Sequence, residues 1–162
     1  GLEDEARARY RDALFGDLTD TYEGLETVNG GRTTGTVLPM NLSILASVQG
    51  TAFFPSLKGR ILVLEDVGEV AYRVDRLLMQ LAHSPQFAGL AGLVMGDLDG
   101  AGLSPQLGRN IARLVREFDL PCVASFPIGH TPGNQPVPVG VPVTLDADAG
   151  TLVVEKGLFR NP

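Results

Sequence analysis

The stretch "ILVLEDVGEVAYRVDRLLMQL" (61–81) carries two hydrophobic periodicities back to back. Residues 60–65, "RILVLE", form a continuous apolar run, the pattern of a strand buried on both faces of a parallel sheet. Val70, Val74, Leu77, Leu78 and Leu81 then recur at helical spacing, which predicts a helix over 69–83 packed on that strand. Three carboxylates, Glu65, Asp66 and Glu69, crowd the junction. Either they are solvated strand-end and capping groups or they belong to a site.

The same alternation continues downstream. "LAGLVMG" (90–96) reads as a second buried strand and "PCVASF" (121–126) as a third. Between them "SPQLGRNIARLVREF" (104–118) begins with Ser104 as N-cap and Pro105 in the first turn, with Leu107, Ile111, Leu114, Val115 and Phe118 on one face. Strand, helix, strand, helix, strand implies parallel pairing through right-handed crossovers. Upstream, 22–38 is rich in Thr, Val and Gly and predicts strands around the "NGG" turn, while 41–50 predicts a short helix capped by Asn41 and closed by Gly50. Residues 141–154 read as a hairpin around Ala149–Gly150. Residues 3–18 have helical composition with a thin apolar stripe, Ala6, Tyr10, Ala13 and Leu14, and Gly16 as its expected stop. The fold class is therefore α/β, a central βαβαβ unit with flanking antiparallel or barrel-forming strands.

Composition bounds the function. The 162 residues suffice for one domain with a sizeable core, and 44% hydrophobic against 20% charged residues is ordinary for a globular protein. A net charge of −6 gives nucleic acid no general reason to bind. No apolar run is long enough to span a bilayer, and no basic segment followed by an apolar one opens the chain, so neither membrane insertion nor secretion is expected. An initial Gly in place of Met points to an N-terminus that was cut or engineered. The lone Cys122, within "LPCVASF", is expected to be a buried thiol in a reducing compartment.

Ligands of open α/β sheets bind beyond the carboxyl ends of the strands. Glu65 ends the first central strand, and His130 follows the third in a loop framed by Gly129 and Gly133. A carboxylate that accepts the imidazole Nδ1 proton fixes the tautomer of a catalytic histidine, so the two residues suit a nucleophile–His–acid triad. Each is equally compatible with an ordinary role, Glu65 as a solvated acid and His130 as a loop histidine. His83, at the end of the predicted helix, is expected to serve the last-turn carbonyls. A nucleophile is missing: Ser43, Ser47, Ser56, Ser84, Ser104 and Ser125 lie in no G-x-S-x-G elbow, and Ser104 is better used as a cap. Glu65, Asp66, Glu69, Asp97, Asp99 and His130 could surround a cation, but no established metal motif is present, and "GDLDG" is only a fragment of a calcium loop. The glycines of "NGGRTTG" and "LDGAGL" do not have phosphate-loop spacing. Arg73 and Arg76, flanking Asp75, suit a solvated, salt-bridged helix face. No cofactor or metal is expected.

Three ordered motifs, "LEDVGE" with the following "YRVDR", "GTAFFPSLKG" and "GHTPGNQPVPVG", resemble the C-terminal domain of serine LD-carboxypeptidases, the muramoyl-tetrapeptide carboxypeptidase family that includes microcin self-immunity peptidases. The resemblance runs from about residue 29 to 155. It implies a swivelling β/β/α domain at 25–162, preceded at 1–24 by a helix and linker from a missing nucleophile domain. That N-terminal domain, similar to class I glutamine amidotransferases, would carry the serine. The resemblance places the triad acid on Glu65 and the histidine on His130, with Asp66 and Glu69 as the alternative acids. Where the family has two glycines before "NL", this chain has Pro39 and Met40. The implied reaction is cytoplasmic hydrolysis of the bond to the terminal D-alanine of murein tetrapeptides, with a homo-oligomer expected. The isolated chain is expected to be inactive. Competing readings are a non-catalytic binding or assembly module of the same fold, a peptidase for a microcin-type acyl-nucleotide, and a metal-dependent hydrolase.

Overall fold

The computed structural model describes residues 2–15, 20–98, 104–131 and 133–154. β4 (Arg60–Glu65) is the centre of the fold, and its four apolar residues Ile61 to Leu64 are all fully buried. Successive strand side chains point to opposite faces, so β4 divides its residues between two cores. Leu62 and Leu64 join the cluster under the helices, whereas Ile61 and Val63 join the cluster on the other face. That double burial is why the run is apolar without alternation.

The helix side is built by α2 (Leu42–Ser47), α3 (Ala71–Ala82) and α4 (Pro105–Glu117). Leu45 of α2, Leu78 and Leu81 of α3, and Leu107, Ile111 and Leu114 of α4 supply its apolar surface. Ser104 caps α4 through its Oγ to the Leu107 amide, as its sequence predicts. β4 pairs in parallel with β3 (Arg32–Asn41) on one side and β5 (Gly92–Met95) on the other, and β6 (Cys122–Ala124) pairs in parallel with β5. The predicted βαβαβ unit is β4–α3–β5–α4–β6.

The flanks belong to the same eight-stranded sheet, ordered β1-β8-β7-β3-β4-β5-β6-β2. β7 (Pro142–Asp146) and β8 (Thr151–Val154) form the expected hairpin, β1 (Asp20–Tyr22) adds to β8, and β2 (Glu26–Asn29) adds to β6, all antiparallel. The sheet curls strongly. Leu145 of β7 lies so close over Gly92 of β5 that a Cβ there would meet its Cδ2 at 2.8 Å, although β3 and β4 separate the two strands. The β7–β8 turn also reaches the β2 edge, where the Leu25 amide donates to the Gly150 carbonyl at 3.0 Å and Thr27 Oγ1 to Ala147 O at 2.6 Å. The barrel-like flank is thus one sheet folded back over its own central strands.

Strands flank the "NGG" turn as the sequence predicts, but they do not form a hairpin. β2 and β3 flank it but do not pair; β2 joins β6 at one edge and β3 joins β4 and β7. Gly31, with φ +110°, donates its amide to Asp148 Oδ1, and its carbonyl accepts the Ala147 amide. The glycines therefore dock the turn on β7–β8 rather than folding β2 onto β3. α1 (Leu2–Phe15) fits the predicted helix, and the stop expected at Gly16 lies outside the described residues. Truncating Leu64 to Ala should cost about 2–5 kcal/mol of stability by urea denaturation, the range for a fully buried leucine.

Candidate active site

The parallel strands end together, and their backbone ladder continues beyond them. Leu64 O accepts the Gly96 amide at 2.7 Å, Asp97 O accepts the Asp66 amide at 2.8 Å, and Ile128 O accepts the Asp97 amide at 3.0 Å. Gly96 cannot be larger, because a Cβ would run into the Ile128 side chain and stand 2.8 Å from its carbonyl oxygen. These bonds carry the three post-strand loops to one end of the sheet, with Glu65 and His130 among them.

His130 Nδ1 stands 3.7 Å from Glu65 Oε2. That is ion-pair distance but longer than a hydrogen bond. Oε2 is shielded from solvent and accepts no hydrogen bond from any described group. The imidazole is the opposite, 67% exposed against 18% for the Glu65 side chain. Nε2, on the far edge of the ring, is free to meet a reacting group. Catalytic hydrogen bonds are often long before substrate binds, so this separation suits a histidine and its orienting acid.

Both partners are held from behind. Glu65 Oε1 accepts from Asn41 Nδ2 at 3.1 Å, a contact set by the parallel register that pairs Asn41 with Glu65. On the histidine side, Gly129 has φ +122° and donates its amide to Asn134 Oδ1 at 3.2 Å. Asn134 in turn donates to the Tyr10 hydroxyl of α1. A cleft of about 410 Å³ opens over the pair, lined by Pro39, Met40, Asn41, Glu65, Ile128, Gly129, His130 and Asn134. No hydroxyl or thiol is among these lining groups.

The other acids are occupied elsewhere. Asp66, 4% exposed, takes four hydrogen bonds: from the Ser43 amide, Ser43 Oγ, Asn41 Nδ2 and the Val67 amide. It serves the start of α2, ahead of it in sequence, and not the start of α3, which begins only at Ala71 with Val70 as its N-cap. Glu69 Oε2 lies 3.0 Å from Arg73 Nε, one turn on. Arg76 stacks over Tyr72, and Asp75 accepts from Asn110. His83 caps α3, with Nδ1 2.6 Å from the Met79 carbonyl, the ordinary role its position predicts. Asp99 lies outside the described residues, and among the described ones no group of three or more His, Cys, Asp or Glu is placed to hold a metal ion.

The serines do not approach His130 either. Ser43 Oγ donates to Asp66 at 2.5 Å, Ser47 Oγ to Ile44 O, and Ser125, in a left-handed conformation at φ +62°, turns its hydroxyl to Glu26. Cys122 is fully buried, and burial pushes its thiol far above the ordinary range, which removes the reactive thiolate.

The sequence profile of the LD-carboxypeptidase C-terminal domain matches residues 34–145, more than half of the chain. The chain belongs to that family. A Streptomyces coelicolor protein named only provisionally as a carboxypeptidase is 38% identical over 82% of this chain and 43% of its own length. The murein tetrapeptide carboxypeptidase of Pseudomonas aeruginosa is 31% identical over 72% of this chain and 39% of its own. The solved muramoyltetrapeptide carboxypeptidase of Oxalobacter formigenes superposes with a TM-score of 0.79 at 26% identity, covering 95% of this chain and 55% of that one. The LD-carboxypeptidase domain thus spans about half the length of the relatives it matches.

Asn41, Ile128, Gly129 and Asn134 were not read as site residues from the sequence. Asn41 was legible only as a helix cap, which it is, with Oδ1 accepting the Ile44 amide at 3.0 Å. Its second role needs the β3–β4 register. In this LD-carboxypeptidase domain, Gly129→Ala should lower stability by about 1–3 kcal/mol in thermal unfolding, because a side chain at φ +122° is strained and its Cβ would stand 3.1 Å from Asp97 Cβ.

Proposed function

We propose that this chain is the C-terminal part of a serine peptidase that cleaves the L,D-peptide bond to the terminal D-alanine of murein tetrapeptides, in cytoplasmic cell-wall recycling. One observation carries the reading: Glu65 Oε2, buried and without a hydrogen-bond donor, faces Nδ1 of an exposed histidine across 3.7 Å in an open cleft. Glu65 accepts the Nδ1 proton and keeps Nε2 unprotonated. Nε2 takes the proton of an attacking serine and later delivers it to the leaving D-alanine amine. As the imidazolium forms, the Glu65 carboxylate stabilises it.

The serine comes from a domain that precedes residue 25 in the longer protein. Two observations support this: no hydroxyl or thiol is among the described residues that line the cleft, and the chain corresponds to about half of its relatives. Ile44, Val67 and Val70 follow closely on the cleft residues Asn41 and Glu65 and are exposed apolar side chains, suited to contact with that domain or with a second copy. No described helix is long and apolar enough to cross a membrane.

The 162-residue chain should release no D-alanine from a murein tetrapeptide. Joined behind the half of the Oxalobacter formigenes enzyme that it does not match, it should do so. In that chimera Glu65→Gln and His130→Ala should each lower kcat/KM by roughly 10²- to 10⁴-fold. D-alanine release by the chain alone, retained in Ser125→Ala and lost in His130→Ala, would place the nucleophile inside this domain and overturn the arrangement.

A further inference from the structure

We infer that Asp66, which does not touch His130, is a positioning residue that sets the direction of the Glu65 carboxylate through Asn41. The inference rests on the His130–Glu65 pairing proposed above and extends it by one layer. Asn41 has two amide protons and one carbonyl oxygen to place. Nδ2 donates to Glu65 Oε1 at 3.1 Å and to Asp66 Oδ1 at 3.2 Å, while Oδ1 accepts the Ile44 amide at 3.0 Å. All three are used, and each admits only one orientation of the amide, since a carboxylate can only accept and an amide N–H only donate.

Asp66 is the fixed end of this arrangement. Oδ2 takes the Ser43 amide at 2.9 Å and Ser43 Oγ at 2.5 Å, and Oδ1 takes the Val67 amide at 2.9 Å besides Asn41. Its donors come from the start of α2 and from the backbone just after β4, so its plane is set by two elements at once. Glu65 has no comparable anchor. Among the described residues Asn41 alone holds Oε1, and Oε2 is left for His130. A neutral amide shared between two carboxylates therefore transfers the rigidity of the occupied one to the working one.

Asp66→Asn exchanges one acceptor for a donor: an NH₂ in the Oδ2 place loses the Ser43 amide and with it the anchor on α2, and one in the Oδ1 place faces Asn41 and reverses its amide. The flip directs Oδ1 at Glu65 Oε1, two acceptors that repel, and gives up the cap on Ile44. Glu65 is then displaced from Nδ1. The fold need not change, because Leu64 and the ladder to Gly96 and Asp97 are backbone and core features.

The decisive readout is the tautomer of neutral His130 in the 162-residue chain, from imidazole ¹⁵N shifts two-bond coupled to the ring protons, at a pH about two units above its measured midpoint. With Glu65 in place the Nδ1–H form should dominate. Asp66→Asn should lower the Nδ1–H to Nε2–H ratio by about 2- to 10-fold, the effect of weakening one hydrogen bond of ordinary net strength, and Asp66→Glu should restore part of it. Asn41→Ala, which leaves the bonds of Asp66 to Ser43 and Val67 intact, should lower the ratio similarly and decides the matter if Asp66→Asn does not fold. An unchanged ratio in folded Asp66→Asn, or in Asn41→Ala where the first variant is unfolded, would overturn the inference. Glu65→Gln separates the two layers. If it leaves the ratio unchanged, the His130–Glu65 pairing itself fails; if it lowers the ratio while Asp66→Asn does not, only the role of Asp66 fails.

Discussion

Three backbone hydrogen bonds that lie beyond the formal strand ends, Gly96 N to Leu64 O, Asp66 N to Asp97 O and Asp97 N to Ile128 O, hold the functional end of this domain together. They extend the parallel ladder of β4, β5 and β6 into loops that otherwise have no regular structure. Buried backbone groups must be paired, and here the pairing fixes the loops against one another. Glu65, Asp97 and the Gly129–His130 turn thereby meet although 65 residues of chain separate the first from the last. Gly96 and Gly129 are the sequence's concessions to that closeness, one for lack of room and one for its backbone conformation.

The acids at the β4–α3 junction divide by what faces them. Asp66 is saturated by four donors. Glu69, just ahead of α3, has an Oε2 that likewise lacks a hydrogen-bond donor but faces the Arg73 guanidinium. Glu65 keeps one oxygen without a donor, and that oxygen faces the histidine. Sequence spacing alone treats the three as interchangeable. The group that faces the undonated oxygen, the Arg73 guanidinium for Glu69 and the imidazole for Glu65, separates them.

Much of the fold was legible in the sequence because β4, β5, α3 and α4 bury long apolar patterns that admit one period each. At "NGG" the flanking strands were legible but their partners were not. A glycine-rich turn between Thr- and Val-rich runs has the local chemistry of a hairpin, but the partners of β2 and β3 are chosen by distant strands. Without β3 beside β4, the register that sets Asn41 against Glu65 was invisible, and Asn41 kept only its cap. Likewise nothing local to Asp66 tells that the ladder places it against the helix that precedes it and not the one that follows. Glu65 and His130 could be named from strand-end logic and family resemblance. Their separation, and the supports behind them, come only from tertiary contacts.

The vacant Glu65 oxygen has an energetic meaning. A buried polar atom without a partner costs on the order of 1–3 kcal/mol, and the fully buried core around Leu62 and Leu64 offsets it when the domain folds. Water around an exposed carboxylate would have to reorient each time a positive charge appeared on the imidazole. In the proposed reaction the counter-charge would already face the ring with little solvent to rearrange, so the reorganisation would be completed once, at folding, and not at every turnover. On that proposal the domain holds its half of the chemistry poised whether or not the nucleophile is present.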